Sequence, residues 1–235
     1  MRRTPRKLEA EQLDNLQLQG KVLKDTLSEL AWINRSLGAH RSTKLALQSL
    51  KADWAGSRWT LVDLGCGGGD TLIAMGKWIQ ENGLQADLIG IDGNPHSLAF
   101  AQAQASQAGL ENIEWRQADI FEPTFRLPAC HVVMANHFLY HFPDEELVDF
   151  LTRQGPQAKK AWLIGELSPN FLAGLGFNLM ARAMGWSAMT RQDGLLAIKR
   201  ALRKKEWQQL LSSLPGINVR LHSRWAFRLQ ILLYL

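Results

Sequence analysis

Leu61-Val62-Asp63-Leu64-Gly65-Cys66-Gly67-Gly68-Gly69-Asp70 is the stretch on which the reading of this chain turns. It reads as a short buried strand running into a loop in which four of five residues are glycine, followed by a helix over Thr71 to Gln80. Glycine permits positive φ and lets a ligand lie directly against the backbone. A helix that starts immediately afterwards offers free N–H groups to an anionic group. Strand, glycine loop and helix together point to a nucleotide-like cofactor.

The spacing narrows the choice of nucleotide. The dinucleotide fingerprint G-x-G-x-x-G needs its third glycine where this chain has Asp70, and that glycine serves close helix–strand packing. The pattern here is D-x-G-x-G-x-G, opened by Asp63. A second apolar strand, Leu88-Ile89-Gly90-Ile91-Asp92, ends in a carboxylate placed to accept both ribose hydroxyls. A third, Asn112 to Ile120, ends in Asp119-Ile120, an acid that the dinucleotide folds do not require.

Taken in order, these elements resemble those of the class I S-adenosylmethionine (SAM)-dependent methyltransferases. The resemblance covers about residues 55 to 235 and implies a Rossmann-like α/β fold. Its sheet would have seven mostly parallel strands in the order 3-2-1-4-5-7-6, with helices on both faces. It implies SAM as cofactor and S-adenosylhomocysteine as product. On that resemblance Asp63 and the loop residues Gly65, Cys66, Gly67 and Gly69 hold the methionine end and the sulfonium. Asp92 and Gly93 serve the ribose, Asp119 faces the adenine amino group, Ile120 flanks the ring, and Asn136 joins the cofactor set from the fourth strand. The Ile33-Asn34-Arg35, Asp193-Gly194 and Arg224-Trp225-Ala226-Phe227-Arg228 runs look like a bacterial small-molecule subgroup, with secondary metabolism as the implied setting.

At 235 residues the chain suits one large domain or a domain with a small cap. We expect a helical cap over 1–50 and the methyltransferase domain over 51–235. Leu8, Leu13, Leu16, Leu23, Leu27, Leu30 and Ile33 recur at helical spacings, with Gly38 as a stop and Ser42 or Thr43 capping a short helix through Leu50. Such a cap closes over the substrate in the family, bringing Trp32, Asn34, Arg35 and His40 to a pocket; plain packing is the competing expectation. Beyond it, strands over 59–64, 87–92 and 112–118 alternate with helices over 70–82 and 95–108, the pattern of a parallel sheet. Helices over 144–154 and 202–213, a fifth strand over 161–167, and two last strands, Val219 to Trp225 and Leu229 to Leu235, complete the chain.

Two cysteines, Cys66 and Cys130, make no disulfide framework, and the basic start is not followed by an apolar signal core. Both favour a cytoplasmic protein. From Thr190 onward nine Arg or Lys face Asp193 and Glu206, a local excess of seven positive charges. That excess suits a solvated helix face, RNA, or an anionic surface, and no aromatic–basic alternation of an RNA module accompanies it.

The acceptor chemistry is carried by strand ends. His137-Phe138-Leu139-Tyr140-His141-Phe142-Pro143-Asp144 follows the fourth strand, where ligands of open α/β sheets bind. It lacks the Asn-Pro-Pro-Tyr or Asp-Pro-Pro-Tyr signature of many enzymes that methylate nucleic-acid or protein amines. Histidine suits deprotonation of a phenol or enol near neutral pH. The catalytic candidates are therefore His141, His137 and, at the end of the fifth strand, Glu166. A metal between His137 and His141 is weighed, on their i,i+4 spacing, and set aside. An apolar insert at about 168–190 is expected to be one helix walling the acceptor pocket, with at most peripheral membrane contact.

The expected activity is methyl transfer from SAM to a small, apolar or aromatic acceptor at oxygen or carbon. Two alternatives stand beside it, an RNA methyltransferase and a catalytically silent SAM-binding partner protein. The oligomeric state is not readable from the sequence.

Overall fold

The computed structural model describes residues 9–54, 56–214 and 216–235. Leu8 and the basic start over 1–7 lie outside the described residues, as do Ala55 and Pro215. Strands are β1 (Arg58–Leu64), β2 (Gln85–Asp92), β3 (Ile113–Gln117), β4 (Cys130–Asn136), β5 (Ala158–Leu167), β6 (Asn218–Arg224) and β7 (Arg228–Tyr234). Helices are α1 (Gly20–Ser36), α2 (Ala39–Gln48), α3 (Lys51–Trp54), α4 (Asp70–Glu81) and α5 (Pro95–Gln107), then α6 (Asp144–Gln154), α7 (Phe171–Ala183), α8 (Ala188–Arg200) and α9 (Lys204–Leu211).

The strands form one sheet in the order β3-β2-β1-β4-β5-β7-β6. β1 to β5 run parallel, and β7 is antiparallel to both β5 and β6. Alternation along each strand divides the core in two. Val62, Ile89, Val133, Trp162 and Ile231 face a cluster with Phe150 of α6 and Trp207 of α9. Their neighbours Leu61, Leu88, Val132, Leu163 and Leu232 face Leu47 of α2, Trp54 of α3 and Leu72 and Trp78 of α4. Both faces of β1, β4 and β5 are buried over most of their length, which is why these strands read as near-continuous apolar runs, whereas the edge strand β3 is largely accessible.

Registry brings the strand ends to one edge. Leu64 pairs with Ile91, Asp92 with Gln117, and Asn136 with Gly165. The loops are pinned there by backbone hydrogen bonds: Cys66 N–H to Ile91 carbonyl at 3.1 Å, Ala118 to Asp92 at 3.1 Å, and His137 to Gly165 at 2.7 Å. All the sequence-predicted acids of the site therefore leave the sheet on the same side.

The helical readings need three corrections. The chain before Gly20 is not an amphipathic helix but a short 3-10 turn over Gln12–Asp14 and extended segments, so Leu13 and Leu16 precede the first helix. Gly38 does end a helix, with φ +84°, but α2 starts at the next residue, and Ser42 and Thr43 are buried within it rather than capping it. The apolar insert is two helices, α7 and α8, because Gly185 (φ +67°) breaks the run and Ser187 caps the second through the Thr190 N–H.

Candidate active site

The cofactor end is built by the glycine loop and the acids around it. Gly65, Gly67 and Gly69 have φ of +64°, +50° and +74°, a region that side chains disfavour. Close neighbours enforce the same choice. A Cβ on Gly65 would overlap the ring of Phe138, and one on Gly69 would sit 2.7 Å from Trp115 and 2.9 Å from Ala101. Asp92 accepts the Gly67 N–H at 2.8 Å and the Asn94 N–H at 2.9 Å. Each carboxylate oxygen keeps a second lone pair for a hydroxyl.

Asp63, Gly65, Cys66, Gly67, Asp92, Gly93, Asp119, Ile120 and Asn136 all line one cavity of about 1230 Å³. Gly69 is set just behind its wall as the αL N-cap of α4. Burial raises the Asp63 carboxyl well above its ordinary range, and the Asp70 and Asp92 charges push it further. Asp92 is raised as well, by burial, with the Asn94, Gly67 and Gly93 N–H groups pulling it back. Asp70 is held by His40 Nε2 at 2.6 Å and by the Asn34 side-chain amide at 3.1 Å. Among the described residues no donor reaches Asp63.

Buried acids crowding one corner fit a ligand that brings positive charge to it. Asn136 adds a buried amide nitrogen with no partner in the protein. Open glycine backbone, a ribose-type acid and a cation-seeking corner fit the amino-acid end and sulfonium of SAM.

The same cavity is lined by a second polar group. His141 Nδ1 lies 3.1 Å from Asp14 Oδ1. Arg200 Nη1 lies 3.3 Å from Glu11 and 3.4 Å from Asp14, and the Tyr140 hydroxyl donates to Glu11 at 3.4 Å. Arg200 also lies over the Tyr140 ring at 5.5 Å. Burial raises the Glu11 carboxyl to about 7, with His141 and Arg200 opposing it and Asp14 adding to it. Burial opposes ionisation of Asp14 too, but the hydrogen bond and charge of His141, the Glu11 N–H and Arg200 outweigh it and leave Asp14 below its ordinary range. Glu11, Asp14 and His141 offer ligand atoms within 4.8 Å of one another, yet the Arg200 guanidinium already serves both carboxylates.

The segment carrying Glu11 and Asp14 is fixed from α8. Asp193 accepts the Gln12 and Leu13 N–H groups at 3.0 Å each, satisfying the start of the 3-10 turn. Glu29 of α1 accepts the Ser187 N–H at 3.1 Å and hydroxyl at 3.0 Å, tying α1 to the start of α8. Apolar side chains, among them Leu27, Leu30, Ile33, Phe138, Phe177 and Met180, make up much of the remaining cavity wall.

The candidate catalytic residues separate. His141 lines the cavity within its carboxylate cluster. His137 also lines it, but its Nε2 is engaged by Arg228 and its backbone φ is +54°. Burial first, and the Arg228 charge second, hold the His137 imidazole well below its ordinary range, so it stays neutral. The two histidines thus have different partners and share no ligand position. Glu166 is turned away from the role expected of it: it is buried, accepts the Leu139 N–H at 3.1 Å and is absent from the cavity wall. Of the residues expected from the cap, Asn34 lines the cavity and His40 stands behind it on Asp70. Trp32 packs edge-on against Trp186 at 5.5 Å, and Arg35 is outside the wall.

Glu11, Asp14 and Arg200 were not singled out from sequence, and Arg228 entered only as the end of the run over 224–228. The available signal was two acids spaced three apart before the first helix, masked by the leucines around them.

Residues 56–149 match a family model described as a methyltransferase domain. Among solved structures, the plantazolicin methyltransferase BpumL superposes with a TM-score of 0.65 at 13% identity, covering 88% of each chain. Magnesium protoporphyrin IX methyltransferase from Synechocystis PCC 6803 gives 0.57 at 16% identity, over 84% of this chain and 83% of that one. An O-methyltransferase family 2 protein from Planctomyces limnophilus, in complex with apigenin, gives 0.56 at 16%, over 88% and 65%. Among curated proteins no sequence matches the chain. Over residues 56–149 the chain is thus similar to a methyltransferase domain, and its sheet order and glycine loop are those of the class I SAM-dependent methyltransferase fold.

Proposed function

We propose that the enzyme methylates a small, apolar or aromatic hydroxy compound, with oxygen as the methylated atom. The observation that carries this reading is that His141, backed by Asp14, lines the same largely apolar cavity as the cofactor cradle. Bound SAM supplies an electrophilic methyl group on a sulfonium. The protein's part is to hold the acceptor in line, exclude water and take its proton. Orientation of this kind is worth roughly 7–11 kcal/mol of barrier.

Asp14 accepts a hydrogen bond from His141 Nδ1–H, which leaves Nε2 to receive the acceptor's proton. The imidazolium so formed is stabilised by Asp14, and Arg200 keeps the neighbouring carboxylates from overcharging the corner. His137, neutral and fixed by Arg228, serves as a wall and as a donor through Nδ1, which has no partner in the protein. Glu166 positions the loop by holding Leu139.

Several features support this reading. The loop after β4 lacks the amine-methylating signature, and two neighbours of the same fold act on or bind polycyclic aromatic molecules by their names. The segment before α1 serves as the lid of the cap, with Ala10, Leu13 and Leu16 on the cavity wall. Both cysteines are free and buried, as suits a cytoplasmic protein.

Incubation with SAM and a panel of alkylated phenols, catechols, amines and RNA, with S-adenosylhomocysteine as readout, tests the proposal. Turnover is expected with hydroxylated apolar compounds. Turnover confined to RNA or amines, or none with any acceptor despite SAM binding, would contradict it.

A further inference from the structure

α7 presents one row of apolar side chains outward while Phe177 and Met180 line the cavity. Phe171 is 84% exposed and Leu175 and Leu179 are exposed as well, so side chains at four-residue steps form one apolar ridge. Across the cavity mouth the β6–β7 turn adds exposed Trp225, 69% accessible, and Phe227. Leu172, Trp225 and Phe227 are at once exposed and part of the cavity wall. The ridge and the turn are therefore the rim of the cavity, continuous with its apolar interior.

The turn is held out in an unusual backbone conformation. Ala226 and Phe227 both have φ of +55°, and Arg228 behind them is anchored by Nε–H donation to the Leu37 carbonyl at 2.8 Å. An exposed aromatic on a strained turn, facing an exposed apolar helix, is a surface built to meet something.

We propose that α7 and the Trp225–Phe227 turn dock on the surface of an anionic phospholipid bilayer, and that the acceptor passes from the bilayer into the cavity between them. This rests on reading the cavity as the acceptor site. Charge selects the occupant. From Ser168 to Thr190 the only charged residue is Arg182, with no acid, and Arg224 stands on the opposite side of the mouth in a chain of net charge +5. That balance attracts anionic lipid and repels a second copy. Geometry agrees, because a protein seated on the rim would close the cavity, whereas a bilayer would feed it. α7 has 13 residues, a length of about 20 Å at 1.5 Å per residue, and lies along a surface. Among the described residues no helix is long and apolar enough to cross a membrane. Trp225 suits the headgroup level, and Arg182 can extend its charge to the phosphates.

The test is flotation of the full chain with vesicles of phosphatidylcholine alone and of phosphatidylcholine with phosphatidylglycerol. Wild type is expected to float with the anionic vesicles, and a Phe171→Ser, Leu175→Ser, Leu179→Ser triple variant to bind at least about tenfold more weakly. Arg182→Gln is expected to weaken binding to the anionic vesicles about fivefold. These side chains are outside the cavity wall, so every variant should keep the rise in melting temperature given by S-adenosylhomocysteine. Absence of wild-type binding to either vesicle, or undiminished binding of the triple variant, would overturn the proposal. So would a wild-type dimer that the triple variant dissolves. Vesicle binding without any S-adenosylhomocysteine response would uphold docking while removing the methyltransferase reading.

Discussion

His141 Nδ1 lies 3.1 Å from Asp14 Oδ1, joining the loop after β4 to the segment before α1. Neither residue is near the glycine loop in sequence, yet both line the cavity that the loop floors. On the proposed function, this contact would give the N-terminal segment a share in the chemistry. His141→Ala is expected to lower kcat by about 10²–10⁴-fold and Asp14→Asn by less, with SAM affinity nearly unchanged. Single-turnover rates with saturating SAM check this. A threefold effect or less for His141→Ala across pH 6–9 would remove it as the base.

Glu11 gives a stability test with a defined sign. Its carboxyl is raised from 4.5 to about 7 in the folded protein, chiefly by burial. A raised acid binds protons more tightly folded than unfolded, so its contribution is full below pH 4.5 and is lost as pH rises through 7. Relative to Glu11→Gln, wild type should lose on the order of 3 kcal/mol across that window and then level off. Urea melts of both proteins between pH 4 and 8 provide the measurement. A difference that stays flat with pH would contradict the assignment.

Asp63 and Asp92 make the stability of the ligand-free protein and its SAM affinity move oppositely with pH. Both carboxyls are raised by burial. Their folded-state contribution is therefore lost as pH rises, while a cationic ligand binds better once they are ionised. Calorimetric titration with SAM should show proton release and affinity that increases with pH. Asp63→Asn should abolish most of that slope.

Gly69→Ala tests the close approach of loop and sheet. The new Cβ would lie 2.7 Å from Trp115 and 2.9 Å from Ala101 at a φ of +74°. Strain and overlap together should cost about 2–4 kcal/mol. Gly109→Ala shares the positive φ, +73°, but meets nothing within 4 Å, and should cost less. Equal destabilisation would show that backbone conformation alone decides.

The sheet and the cofactor end were legible because each rests on local chemistry. Apolar runs of strand length, glycines at fixed offsets and acids at strand ends place Asp63, Asp92 and Asp119 without knowledge of the rest. The acceptor end was not legible, since it depends on contacts between distant segments. Glu11 meets Arg200 across 189 residues, and Gln12 meets Asp193 across 181. Leu13 and Leu16 imitate helical spacing, yet they line the cavity from a 3-10 turn and the short stretch that follows it. Glu166 shows the opposite limit. Its position at a strand end suggested chemistry, but the Leu139 N–H occupies it.

A thermal melt with S-adenosylhomocysteine, SAM and NAD in parallel, on wild type and Asp92→Ala, tests whether the glycine loop and Asp92 hold SAM. A ligand at about 100 times its dissociation constant adds roughly 2.7 kcal/mol, and for a chain of this size that raises the melting temperature by about 5–10 °C. That rise is expected with S-adenosylhomocysteine and SAM, none with NAD, and its loss in Asp92→Ala. No rise with either SAM or its product, or an equal rise with NAD, would contradict it.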